Sequence, residues 1–160
     1  MTAIRLRFVE GAGLESDAIE WREGTVMPIV PSHVEAVRAD GKYVGQHAPT
    51  GMLARDPGYD APFKGEIFVD LPCSQEQHDA FYAAVDASIG QPYDLEAIVG
   101  FAIPGHHHIK FHAICSAKMF LLLRDVADWF PSHCPVVVPA HQIDPRDLLL
   151  MLSVVIEIPH

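Results

Sequence analysis

Strand patterns fill the first half of the chain and helix patterns the second, and that order predicts an α+β fold in which an antiparallel sheet packs against helices. Three observations carry the expectation. Ile4, Leu6 and Phe8 alternate with polar residues, the period of a strand with one buried face. Asp40-Gly41 separates two short β-like runs, His33 to Arg38 and Tyr43 to Gln46, as a hairpin turn does. Ser74 and Gln77 stand three apart before an apolar helical pattern, the signature of a capping box. A chain of 160 residues is long enough for one domain with its own core, here residues 1–160.

Taken in order, Ile4 to Phe8 form the first strand and residues 16 to 22 a short helix carrying Ile19 and Trp21. The hairpin around Asp40-Gly41 follows. Residues 49 to 64 hold Pro49, Gly51, Pro57, Gly58 and Pro62 and read as an irregular loop. Glu66 to Leu71 is a strand, and the consecutive Ile67, Phe68 and Val69 suggest burial on both of its faces. The Ser74 helix sets Phe81, Ala84, Val85 and Ile89 on one side and stops at Gly90 and Pro92. Another helix spans Asp94 to about Phe101, and Gly105 to His108 is a loop. A further helix contains Cys115, runs to about Trp129 and buries Phe120, Leu123, Val126 and Ala127. The last begins at Asp144-Pro145, with Asp as cap and Pro in the first helical position. Val154 to Ile158 reads as an edge strand.

Composition narrows the function classes. A net charge of −10 repels phosphate backbones and excludes a general nucleic-acid binder. No apolar run approaches the ~20 residues of a membrane helix, so no membrane span is expected. Three scattered cysteines, Cys73, Cys115 and Cys134, are not a disulfide framework and suit a reducing compartment. With no signal-peptide pattern at the start, the expected location is cytoplasmic.

Cys115 is the residue with the clearest chemistry. It falls in the first turn of its helix, where free backbone N–H groups and the helix dipole favour a thiolate. A thiolate nucleophile needs an imidazole to manage its proton. Of ten histidines, most occupy loop-like contexts. His33 differs, because it opens a strand and so has a fixed direction. Glu35, two residues on, shares its face. With Asp40-Gly41 as a two-residue turn, Glu35 lies opposite Gln46, and Gln46 shares the His33 face across the strand pair. Either Glu35 or Gln46 then orients the ring.

Ser32-His33-Val34-Glu35 on a strand, a short hairpin, Gly90-Gln91-Pro92-Tyr93-Asp94 opening a helix, and Cys115-Ser116 at another helix start together resemble the circularly permuted NlpC-type papain-fold hydrolases. That branch includes the lecithin retinol acyltransferase-like proteins. The resemblance covers roughly residues 16 to 150. It implies a papain-like fold of permuted topology, with the histidine ahead of the cysteine. It implies Cys115 as nucleophile, His33 as base, Gln46, on the strand following His33, as the third polar residue, and Tyr93 and Asp94 near the substrate. The chain departs from the family pattern at Ala117 and Gln46, where acidic residues are common.

The implied activity is that of a thiol protease or amidase working through an acyl-enzyme on a peptide or peptidoglycan-type substrate. A lipid acyltransferase or ester hydrolase on the same fold is the second reading, with a lipid amide or ester as substrate. A non-catalytic binding module that keeps the fold is the third. No cofactor is expected. His106, His107, His108 and His112 lie near Cys115 in sequence, but three adjacent loop histidines do not readily converge on one ion, and no metal site is expected there.

Overall fold

The computed structural model describes residues 2–12, 29–47, 50–92, 113–130, 139–140 and 143–155. Among these, the fold is α+β: five antiparallel strands form one open sheet, and three helices accompany it. The strands are β1 (Ala3–Gly11), β2 (His33–Val37), β3 (Tyr43–His47), β4 (Gly51–Arg55) and β5 (Phe63–Pro72). Their spatial order is β4-β3-β2-β1-β5. The helices are α1 (Gln75–Ser88), α2 (Ala113–Leu121) and α3 (Pro145–Val155). A π-helical turn, Leu122–Val126, continues α2.

Alternation sorts the sheet into two faces. Ile4, Leu6, Phe8, Val34, Ala36 and Val44 belong to the same buried core as Phe81 and Val85 of α1, Met119 and Phe120 of α2, and Leu148, Leu149 and Leu152 of α3. The other face is polar and centres on Arg7 and Glu35, which are paired across β1 and β2 and have no solvent exposure.

The capping signals hold where they can be seen, whereas Ile89 is an exposed C-cap and not part of the apolar face, and the Cys115 helix gives way to a π turn that ends at Val126. Ser74 accepts a hydrogen bond from the Gln77 backbone while the Gln77 side chain accepts one from the Ser74 backbone, both at 3.1 Å. Asp144 caps α3 by accepting from the Asp147 backbone at 2.8 Å. The expected helices at 16–22 and 94–101 and the loop at 105–108 lie outside the described residues.

Four further expectations are corrected. Residues 49 to 64 contain a strand, β4. Its outer edge is paired by the chain leaving α1, with Met52 N–H donating to the Gln91 carbonyl and Gly90 N–H to the Met52 carbonyl. Glycine and proline flank this strand on both sides, and their turn signals mask its short period. β5 has one buried face and not two: Val69 and Leu71 are buried, whereas Phe68 is 41 % exposed. Val126 is also exposed, because the π turn rotates it off the core stripe. Val154 and Val155 belong to α3 and not to an edge strand.

Candidate active site

The site is built where β2 begins. Ser32 anchors that point: its backbone N–H donates to the Val9 carbonyl at 2.9 Å, and its hydroxyl accepts from Gly11 N–H at 3.1 Å. His33 follows as the first residue of β2. From the second half of the chain, α2 packs against β2 and β3 and brings Cys115 in its first turn. The Ser116 hydroxyl donates to the Ile143 carbonyl at 2.7 Å and so ties the start of α2 to the segment ahead of α3. Cys115 is near enough to act on the His33 imidazole electrostatically. Cys115 is buried.

Glu35 stands behind the imidazole. Its Oε1 lies 3.6 Å from His33 Nε2 and 3.4 Å from His47 Nε2. The same oxygen accepts a hydrogen bond from the Tyr59 hydroxyl at 2.8 Å. Its Oε2 accepts from Arg7 Nη1 at 2.9 Å. Arg7 in turn donates through Nη1 and Nη2 to Asp60 and through Nε to Glu66. Its guanidinium lies 4.6 Å from the Tyr43 ring centroid, within cation–π range.

The electrostatics follow from this layout. Burial opposes charge on His33, but the Cys115 sulfur and the Glu35 carboxylate outweigh it and lift the imidazole to about 10. Burial alone would push Glu35 up; the nearby His33 and His47 imidazoles and the Tyr59 hydroxyl outweigh it and hold it well below the ordinary carboxylate range. Burial and the adjacent Glu35 charge push the Tyr59 phenol up, so it stays a donor. Burial works against the Arg7 charge, yet bonds to Asp60, Glu66 and Glu35 more than compensate and keep it a cation. The result is an imidazole that holds its proton readily, between a sulfur and a buried carboxylate.

His33 thus has Glu35 3.6 Å from its Nε2 and Cys115 among the groups that act on its charge. Gln46 does not join them, and the reason is one residue in the hairpin. Gly41 has φ +82° and extends the turn to three residues, Ala39-Asp40-Gly41, with Arg38 N–H bonded to the Lys42 carbonyl. This is a type I turn closed by a left-handed glycine. The register becomes Ala36 with Val44 and Val37 with Tyr43. Carried outward, it sets Gly45 beside Glu35 and His47 beside His33. A slip of one residue exchanges the faces of a strand. Gln46, paired with Met52 on β4, is left on the face away from His33. The His33 and His47 rings lie 4.7 Å apart.

His47 was thus readable in the sequence only by counting three loop residues. Tyr59 and Asp60 come from the turn between β4 and β5 and carried no local signal. Tyr93 and Asp94 lie outside the described residues, as do His106, His107, His108 and His112. The chain matches no known protein family, no curated protein and no solved structure.

Proposed function

We propose that this chain is a cysteine hydrolase of the amidase or peptidase type, acting through an acyl-enzyme on a papain-like core of permuted topology. What supports the reading is that Cys115 and Glu35 both act on the one imidazole of His33, with Glu35 Oε1 3.6 Å from His33 Nε2. His33 takes the thiol proton, and sulfur forms a bond to the substrate carbonyl carbon. Backbone N–H groups in the first turn of α2 stabilise the oxyanion in this reading. His33 then returns the proton to the departing amine as the C–N bond breaks. Water attacks the thioester, His33 accepts its proton, and the C–S bond breaks to restore the thiol and release the acid. Glu35 and His47 are positioning residues that hold the ring. The resemblance of the Ser32–Glu35 strand and the Cys115-Ser116 helix start to permuted NlpC-type enzymes supplies the substrate class, a peptide or peptidoglycan-type amide.

The test is labelling with an electrophilic acyl probe followed by mapping of the modified residue. The expected product carries the acyl group on Cys115, and Cys115→Ala abolishes it. Modification spread evenly over Cys73 and Cys115 would end the proposal.

A further inference from the structure

Two imidazole nitrogens are buried here without a hydrogen-bond partner. His33 Nε2 and His47 Nε2 are both shielded from solvent, and neither makes a hydrogen bond. Each such orphan ordinarily costs on the order of 1–3 kcal/mol. Both approach the same atom, Glu35 Oε1, at 3.6 and 3.4 Å. Those distances are long for a hydrogen bond to a carboxylate. They match the spacing of two ligand atoms on one tetrahedral ion, which is about 3.3 Å for bonds of ~2.0–2.1 Å. The three ligand atoms all lie within 4.8 Å of one another.

We infer that His33, His47 and Glu35 form a binding site for a divalent transition-metal ion of the zinc type, and that its occupation silences Cys115. The donor set of two imidazoles and one carboxylate suits a borderline ion and disfavours calcium or magnesium, which take oxygen ligands. The surroundings fit a cation as well. Arg7 is bonded to three carboxylates, Glu35, Asp60 and Glu66, and even with the Arg55 guanidinium 5.4 Å from the Tyr59 ring centroid the carboxylates outnumber the cations when the imidazoles are neutral. Glu35 is already oriented for the task. Arg7 occupies Oε2, and Tyr59 bonds Oε1 from one side, the outer-shell support that fixes a carboxylate ligand.

Silencing follows from proton counting and rests on the proposed role of His33. An imidazole acts as base by going from one ring proton to two. With a metal on one nitrogen it has no place for the second proton, whichever nitrogen faces the sulfur.

Zinc alone, titrated into the full chain against a chromophoric zinc indicator, tests the site without reference to turnover. One ion per chain is expected, weakened at least tenfold by His47→Gln and by His33→Gln, and retained by Cys115→Ser. Circular dichroism checks that each variant folds. Cobalt(II) in place of zinc should give visible absorption without a sulfur charge-transfer band. A band that vanishes in Cys115→Ser would move the ion onto sulfur and overturn the assignment. So would zinc held at full strength by both histidine variants, which would assign it to other residues such as the histidines at 106–108, or no binding at all. Saturating zinc should suppress acyl-probe labelling of Cys115; unchanged labelling overturns the silencing. If Cys115 is not labelled even in chelator-treated protein, the hydrolase reading and the silencing fall together while the metal site stands on the titration.

Discussion

A guanidinium with no solvent exposure persists only when its neighbours answer its charge, and Arg7 is answered by Glu35, Asp60 and Glu66. Removing one partner of a buried pair leaves the other charge stranded, at a cost of about 3–5 kcal/mol. Arg7→Met should therefore lower stability by that order in urea unfolding, and it should also loosen Glu35 behind His33. A loss under about 1 kcal/mol would mean that Glu35 does not depend on Arg7. Gly45 makes a different point. A Cβ there would sit 2.9 Å from Glu35 Cγ and 3.1 Å from His33 Nε2. Overpacking of this kind costs roughly 1–3 kcal/mol. Gly45→Ala should reduce acyl-probe labelling more than its stability loss explains, because the side chains it displaces are those that hold the imidazole. Beyond the shared face of His33 and Glu35, this network was not legible in the sequence. Arg7 stands in an alternating strand where a polar residue is expected to be solvated, and what buries it comes from a turn some fifty residues away.

At the scale of elements, the hairpin decides which residue accompanies His33. The dipeptide Asp40-Gly41 announced a turn correctly but not its length. Gly41 can adopt the left-handed conformation as the third loop residue, and that choice moves His47 to the site in place of Gln46. Turn type and strand period are local properties; register depends on a count that local preference does not determine. Capping was easier to read because the donors and acceptors are three residues apart. Ser74→Ala removes the bond to Gln77 N–H and should destabilise the protein by roughly 1 kcal/mol, measured as a shift in the urea midpoint at unchanged slope. β4 was hidden for the converse reason. Its five residues are flanked by Pro49 and Pro57, and its pairing with the chain beyond α1 is non-local.

For the molecule as a whole, the order of strands before helices was enough to predict an α+β fold, and the shared face of His33 and Glu35 followed from strand period. No helix among the described residues is long and apolar enough to cross a membrane. Stability should follow pH through the two buried titrating groups. Glu35 is held below its ordinary value of 4.5, so its contribution is present above that pH and disappears as pH falls. His33 is raised from 6.5 to about 10, so its contribution is complete below 6.5 and is lost as pH rises through about 10. The melting temperature should be highest between these limits and decline on both sides, and His33→Gln should flatten the alkaline decline. A melting curve indifferent to that substitution would separate His33 from the charged network. The measurement that bears most directly on the whole account is the iodoacetamide alkylation rate of Cys115, followed by peptide mapping in the native protein and in His33→Ala from pH 5 to 9. Cys115 is expected to react faster than Cys73 near neutral pH in the native protein and to lose that advantage in the variant. Equal rates at the two cysteines, or a Cys115 rate unchanged by loss of the imidazole, would contradict it.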